Sequence, residues 1–218
     1  NQVGGGEVAY TVAFHPTEPL LAWGAYDGKV RLVDLAQGTE IRSFQANKGG
    51  VLYVTWTPDG GQLVSTGEDG TIRFWDPENG SPGQVLTGHE AGITAVSFTS
   101  DGRRMVSGGD DATVRVWDVS TGKALRVESP HAGWINFSTV LPDDRRFISV
   151  GTDNRIFIWP LEGDGDPRIL DSHTDWIMCA RTSWDGTRFV TTGKDGTAKV
   201  WDAETLVLRH TIDMWTPI

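Results

Sequence analysis

Asp111-Ala112-Thr113-Val114-Arg115-Val116-Trp117-Asp118 is the stretch that decides the fold, because the chain writes it more than once. Asp69-Gly70-Thr71-Ile72-Arg73-Phe74-Trp75-Asp76 stands 42 residues earlier, and Asp195-Gly196-Thr197-Ala198-Lys199-Val200-Trp201-Asp202 stands 84 residues later. The copy between them ends on Trp159-Pro160, and one further step back ends on Val33-Asp34. Five copies therefore share one 42-residue period with no insertion between landmarks. Other positions keep the same phase. The residue six before each landmark is Asp27, Asp69, Asp111, Asp153 and Asp195; two before that stand Ala25, Gly67, Gly109, Gly151 and Gly193. His89, His131 and His173 open repeats three, four and five. A fixed period of this length is the mark of a stacked repeat architecture.

Working outward from the third copy, each unit parses into four short strands. In repeat three they run roughly over 93–98, 104–107, 113–117 and 124–127, with turns at Ser100-Asp101-Gly102, Asp110-Asp111-Ala112 and Ser120-Thr121-Gly122. No apolar stripe at helical spacing lasts more than two turns. Apolar side chains fall on both faces of the inner strands, as at Val114, Val116 and Trp117. A sheet that is apolar on both faces must be covered on both. One four-stranded unit cannot do this alone, so neighbouring units must stack radially. The units are expected at about 8–44, 50–86, 92–128, 134–170 and 176–212, forming a single region over residues 1–218.

Taken together, these features make the sequence similar to the WD-repeat β-propeller family, and the likeness covers essentially the whole chain. A lone Trp-Asp pair is weak evidence. Five copies in phase, with His, Asp and Gly also in phase, are specific. The resemblance implies an all-β propeller of four-stranded antiparallel blades. Rings of the family usually close with seven blades, often by pairing a strand from one terminus into the blade made by the other. Here each unit holds its own four strands and none is left over as a latch. Residues 213–218 stay in phase, with Ile218 falling where Trp134 and Trp176 fell, and read as the start of a further repeat. The expected architecture is a segment of a six- or seven-bladed ring. A closed five-bladed ring and the pairing of two chains are the alternatives.

Composition narrows the function. The 218 residues carry 19 basic and 29 acidic side chains, a net charge of −10. An acidic surface repels phosphate backbones, so general nucleic-acid binding is not expected. No apolar run approaches the roughly 20 residues needed to span a bilayer, so membrane insertion is not expected either. Cys179 stands alone and excludes an internal disulfide, which is compatible with a reducing compartment; the expected location is cytoplasmic.

His89, Ser107 and Asp111 are the residue types of an acyl-transfer triad. The repeats argue against that chemistry. His131, Ser149 and Asp153 stand at the same offsets, and so do His173, Thr191 and Asp195. Three identical triads in neighbouring units is not how catalysis is organised, so no catalytic residue is expected. The resemblance implies a structural tetrad instead, completed by Trp117, Trp159 and Trp201: Asp to His, His to hydroxyl, hydroxyl to indole. Repeat two has Asn47 in place of the His. Repeat one has Gly5, Trp23 and Val33 in place of His, Ser and Trp. Neither is expected to complete a tetrad, and both should be softer. No metal or cofactor is expected. Glu162-Gly163-Asp164-Gly165-Asp166 lacks the closing Glu of a calcium loop. The histidines are spread one per blade rather than clustered. Gly4-Gly5-Gly6 is not followed by the Lys-Ser or Lys-Thr of a phosphate cradle.

The resemblance also implies where partners bind: the face that holds the starts of the inner strands and the turns between second and third strands. Three positions per blade fall there. They are Val8, Tyr10 and Tyr26; Gly50, Leu52 and Glu68; Gly92, Thr94 and Asp110; Trp134, Asn136 and Thr152; and Trp176, Met178 and Lys194. Trp134 and Trp176 on adjacent blades, with Met178 near, are the expected anchors, since Trp is enriched at binding hot spots and Met adapts to its contacts. Asn136, Tyr10, Tyr26, Glu68, Asp110 and Lys194 complete the candidate set. The competing reading is that the tryptophans merely cover blade seams. The expected function is a protein-interaction scaffold or recognition module for a protein or peptide, with further blades or domains of the same chain as a second class of partner. The alternatives are an architectural subunit and, last, an enzyme domain with a site at the channel mouth.

Overall fold

Among the described residues twenty strands follow one another without a helix, and each successive set of four makes one antiparallel sheet. The computed structural model describes residues 8–214. Blade one is β1 (Ala9–Phe14), β2 (Leu20–Ala25), β3 (Lys29–Asp34) and β4 (Thr39–Gln45). Blade two is β5 (Val51–Trp56), β6 (Leu63–Gly67), β7 (Ile72–Trp75) and β8 (Pro82–Leu86). Blade three is β9 (Ile93–Phe98), β10 (Arg104–Gly109), β11 (Val114–Asp118) and β12 (Ala124–Glu128). Blade four is β13 (Ile135–Val140), β14 (Arg146–Gly151), β15 (Arg155–Pro160) and β16 (Arg168–Asp171). Blade five is β17 (Ile177–Thr182), β18 (Arg188–Gly193), β19 (Thr197–Asp202) and β20 (Leu208–Asp213). Of the expected tail at 213–218, Asp213 closes β20, and residues 215–218 lie outside the described residues, as does Gly5.

Each blade packs its inner strand onto the preceding blade: β5 on β1 and β2, β9 on β5 and β6, β13 on β9 and β10, β17 on β13 and β14. Apolar residues alternate between the two faces, and the cores lie between sheets rather than within them. Val106, Val114 and Val116 of blade three pack with Ile135, Phe147 and Trp159 of blade four. Ile148, Ile156 and Ile158 of blade four pack with Ala180, Phe189 and Trp201 of blade five. Both faces of each inner sheet are needed for this, which is why the period-two alternation of a half-buried strand is missing from the sequence.

The inner strands converge. Tyr53 of β5 meets Phe137 of β13 edge-on at 5.9 Å although a whole blade lies between them, and the Arg181 guanidinium of β17 sits 3.8 Å over the Phe137 ring. Burial pushes the Tyr53 phenol above its ordinary pKa. Blades two, four and five therefore meet near one axis.

The outward faces of blades one and five differ from those that meet at the four blade–blade interfaces. Val12 and Phe14 of β1 are 59% and 70% exposed, while their counterparts Val54, Val96, Ser138 and Ala180 on the one hand, and Trp56 and Val140 on the other, are buried. At the far end Val190 and Val200 are only half-buried, whereas Val106, Val116, Ile148 and Ile158 are fully covered.

Two local devices recur in every blade. The turn between second and third strands takes a left-handed residue, and the position is Gly28, Gly70, Ala112, Asn154 and Gly196 in blade order. A side chain there is strained, most for Ala112 and less for Asn154, whose amide tolerates the conformation. The second device is a shift of register in the pairing of each inner strand with its neighbour, leaving Tyr10, Leu52, Thr94, Asn136 and Met178 as the extra residue. Such bulges re-aim a side chain.

The tetrads and the candidate partner-binding face

In blades three, four and five the hydroxyl on the second strand is wholly buried and lies between an imidazole and an indole. In blade three, His89 Nδ1 lies 2.9 Å from Asp111 Oδ2, and His89 Nε2 lies 2.7 Å from Ser107 Oγ. The Trp117 indole N–H donates to the same Oγ at 2.8 Å. With Nδ1–H donating to the carboxylate, Nε2 accepts from the hydroxyl, and every polar atom of the set has a partner. Blade four repeats this with Asp153, His131, Ser149 and Trp159 at 2.9, 2.9 and 3.1 Å. Blade five repeats it with Asp195, His173, Thr191 and Trp201 at 2.8, 2.8 and 3.0 Å. In this geometry the serine hydroxyl faces an indole N–H and not a solvent-filled cleft.

Blade two departs from expectation. Asn47 Nδ2 donates to Asp69 Oδ1 at 3.1 Å, the Ser65 hydroxyl donates to Asn47 Oδ1 at 2.8 Å, and Trp75 Nε1 donates to Ser65 Oγ at 2.9 Å. The tetrad that seemed impossible without a histidine is complete. A carboxamide presents one donor and one acceptor, which is all that the neutral imidazole supplies. Blade one uses different parts. Arg31 pairs with Asp27 at 2.7 Å and lies 4.7 Å over the Trp23 ring.

Residues that the sequence reading passed over complete these sets. Thr71, Thr113 and Thr197 donate their hydroxyls to the tetrad Asp. The backbone N–H groups of Lys48, Glu90, Ala132 and Thr174 donate to it as well. The in-phase recurrence of Thr at 71, 113 and 197 was the visible signal. These bonds govern the ionisation. Burial would raise the Asp111 carboxyl, but the bonds from His89, Glu90 and Thr113 outweigh it and hold the group well below the ordinary range. The same contest, burial against bonds from Thr197 and Thr174, lowers Asp195 to about 2. Burial lowers His173, and Asp195 offsets this only in part.

The bulged residues bring the candidate face together. Thr94 Oγ1 donates to the Ile135 carbonyl of the next blade at 2.6 Å, and Asn136 Nδ2 donates to the Ile177 carbonyl at 2.8 Å. Asn136 therefore links blades four and five, and it also reaches Met178 Sδ at 3.8 Å. Trp134 is 56% exposed and Met178 45%. Trp176 is only 37% exposed, because Lys194 places its ammonium 3.6 Å from the ring centroid. The two tryptophans stand just before the inner strands of adjacent blades and make no ring-to-ring contact among the described residues. On blade one, Tyr10 and Tyr26 lie 6.1 Å apart and, with Val8 and Asp27, line a hollow of about 430 Å³. On blades two and three, Glu68 and Asp110 flank Gly50 and Gly92. Glu68 Oε2 accepts the Gly50 N–H at 3.0 Å. Burial, Asp111 and Glu68 together push the Asp110 carboxyl above its ordinary range.

Among the described residues, no three His, Cys, Asp or Glu side chains gather as a metal site, and no helix is long and apolar enough to cross a membrane. The loop at 162–166 is held by Arg126 of blade three, which donates to the Pro160, Gly163 and Gly165 carbonyls.

Five blades of one pattern, each stitched around a half-buried Asp and most ending on Trp-Asp, define a repeat propeller protein. The chain belongs to the WD domain, G-beta repeat family, which matches residues 38–76, 80–118 and 166–202, a little over half of its length. These windows end on Asp76, Asp118 and Asp202, the landmarks themselves. Coronin-7 of Rattus norvegicus is 37% identical to the chain over 60 residues, which is 27% of this chain and 6% of that protein. WD repeats generally mediate protein–protein interaction or scaffolding, and the family is generally non-enzymatic.

Proposed function

We infer that this chain is a recognition module that binds a protein or peptide on the face formed by the inner-strand starts. The observation that carries the reading is the contrast between two sets of aromatics. The tetrad tryptophans are buried, whereas Trp134, Tyr10 and Tyr26 expose more than half of their surface on one side of the disc. Scattered exposed apolar residues need no explanation, but a grouped set of Trp, Tyr and Met on one face is the composition of a hot spot. Nothing about the tetrad residues supports an active site, since each serine or threonine is enclosed by its own blade. A reducing, cytoplasmic setting suits the single thiol.

The experiment is a paired one. Trp134→Ala and Trp176→Ala are made separately, thermal unfolding is recorded, and binding to a partner recovered from the native source is measured. An unchanged melting temperature with binding weakened about 30- to 1,000-fold is the expected result. A large drop in melting temperature would mark the tryptophans as seam-fillers. Unchanged binding with an unchanged fold would remove this face.

A second reading concerns the open ends. The exposure of Val12 and Phe14 at one end, and the half-burial of Val190 and Val200 at the other, supports further repeats of the same kind at both ends, in keeping with a six- or seven-bladed ring. Trp184 points the same way. It is 99% exposed and occupies the turn position of Pro58, Ser100 and Pro142. Each of those touches the turn of the next blade: a Cβ at Gly102 would meet Pro58, Ser100 N–H donates to Asp144 at 3.0 Å, and a Cβ at Gly186 would meet Pro142. Hydrogen exchange on the longest native reading frame tests this, with protection of the β1 amides expected if a blade precedes them. Free exchange of those amides would favour an architectural role in which other subunits use the ends.

A further inference from the structure

The face is not uniformly apolar. Its three positions per blade change character around the arc, and the change is coordinated between positions that are far apart in sequence. Where blades four and five carry Trp134 and Trp176, blades two and three carry Gly50 and Gly92, both buried. Where blade five carries Lys194, blades two and three carry Glu68 and Asp110. The missing side chains stand beside the carboxylates. A Cβ at Gly50 would lie 3.5 Å from Glu68 Cδ, and one at Gly92 would lie 3.2 Å from Asp110 Oδ2 and 2.8 Å from Leu52 Cδ1. The result is an acidic stretch of the face with no bulky side chain over it, with Tyr26 beside Gly50 and Trp134 opening the next blade after Asp110.

Resting on the reading of this face as the binding surface, we propose that it takes a protein segment whose lysine or arginine sits over Glu68 and Asp110, with an apolar side chain to either side, one against Tyr10 and Tyr26 and one against Trp134. Three observations argue for that chemistry. Among the described residues neither Glu68 nor Asp110 is in an ion pair, although Asp27, Asp69, Asp118 and Asp143 each pair with an arginine. Glu68 and Asp110 lie close together across the Gly92 backbone, and burial together with the neighbouring Asp111 and Glu68 carboxylates pushes the Asp110 carboxyl up. A cation seated there is attracted by both carboxylates in a partly desolvated place, where charge pairs count for more than on open surface. The aromatic rings on both sides supply apolar area and, at Tyr26 beside Gly50, a ring face for the stem of the basic side chain. Lys194 adds direction. It already occupies the face of Trp176, so a basic residue is repelled from blade five and a segment laid down in reverse is disfavoured.

The probe is a displayed library of random twelve-residue peptides, selected against the folded chain and counter-selected against the Trp134→Ala/Trp176→Ala double variant. Selected peptides are then titrated against the parent chain, against Glu68→Gln/Asp110→Asn, and against Trp134→Ala alone. The expected result is enrichment of one Lys or Arg between apolar residues. The carboxamide variant should weaken binding about tenfold, and replacing the basic residue of the peptide by Gln should weaken it as much. The two changes should not add, because each removes the same contact. Circular dichroism melting of the carboxamide variant checks that the blade is intact. Peptides that need Trp134 but carry no enriched basic residue, and ignore the carboxamide variant, would overturn this proposal while leaving the face as the binding surface. Peptides indifferent to Trp134, or a library that yields none, would remove the face and the proposal together.

Discussion

Blade three and blade one are the same 42-residue pattern built with different stitching. In blade three an Asp, a His, a Ser and a Trp close a hydrogen-bonded set in which the hydroxyl is shared by two rings. In blade one the carboxylate survives as Asp27, but it holds Arg31, whose guanidinium lies over Trp23. Both solutions satisfy a buried or half-buried charge. They differ in what surrounds it. Trp117 is 1% exposed between two blades, while blade one has its inner strand open to solvent. The comparison teaches that the period specifies the position of a carboxylate at the second turn. What the carboxylate is paired with depends on the side chains the repeat offers around it: His89, Ser107 and Trp117 in blade three, Arg31 and Trp23 in blade one.

The largest expected effect tests the packing side of the comparison. Trp117→Ala should cost about 3–5 kcal/mol in urea denaturation, the range for deleting a buried aromatic. Trp23→Ala should cost clearly less, because the cavity it leaves opens toward the uncovered face of blade one. Equal losses would mean that blade one is as tightly clamped as blade three.

Next in size is removal of the carboxylate. Asp111→Ala leaves His89 and two backbone N–H groups without their acceptor, and should cost about 1–3 kcal/mol. Asp27→Ala breaks an ion pair in a half-open blade and should cost under about 1 kcal/mol. Asn47→Leu belongs with the first of these. If the carboxamide completes the blade-two tetrad, the loss should match that of Asp111→Ala. A loss near zero would return blade two to the softer class that its missing histidine suggested.

A smaller and more gradual effect follows from pH. Asp111, Asp153 and Asp195 have carboxyl pKa values below their unfolded ones. Their contribution is fully present above about pH 4 and is lost as pH falls through the folded values, near 2 for Asp195. His173 acts at higher pH. Its folded pKa lies below the ordinary 6.5, so the unfolded chain takes up the proton first and stability begins to fall as pH drops below about 6.5. Melting temperatures recorded from pH 8 to pH 3 should therefore decline in two stages. The upper stage should be absent in His173→Asn, which retains a donor and an acceptor as Asn47 does. An upper stage that persists in that variant would assign it to another group.

Much of this was legible in the sequence, because a repeat supplies its own controls. The strands of blade three begin and end within two residues of their expected bounds, and the His, hydroxyl, Asp and Trp of blades three to five stand in the phase at which the family resemblance implied a tetrad. Three things were not legible. The bulge at Tyr10, Leu52, Thr94, Asn136 and Met178 is a matter of backbone pairing, and the residues at that position share no chemistry. The rescue by Asn47 depends on a carboxamide giving its N–H to Asp69 and its oxygen to the Ser65 hydroxyl, a substitution for imidazole that the search for an in-phase His does not reveal. The pairing of Lys194 with Trp176 joins residues 18 positions apart across a turn, and it covers part of the Trp176 ring.

The smallest effect returns to the two blades at one shared position, the left-handed residue of the second turn. Blade one fills it with Gly28, at φ 76°, and blade three with Ala112, at φ 61°. An L side chain in this region costs about 1–2 kcal/mol, and glycine recovers that at the expense of a more mobile unfolded chain. Ala112→Gly should therefore stabilise the protein by about 0.5–1 kcal/mol, with the Ala112 N–H bond to the Gly109 carbonyl kept at its present 3.2 Å. The reverse change in blade one should not be a mirror image. A Cβ at Gly28 would stand 2.5 Å from the Gly49 carbonyl oxygen and 2.6 Å from that of Asn47, backbone atoms that cannot swing aside. Gly28→Ala should thus cost more than Ala112→Gly gains. Differential scanning calorimetry on both variants decides the matter. Equal and opposite shifts would show that the turn is governed by φ alone, and that the closer approach of blade two to the turn of blade one has no energetic weight.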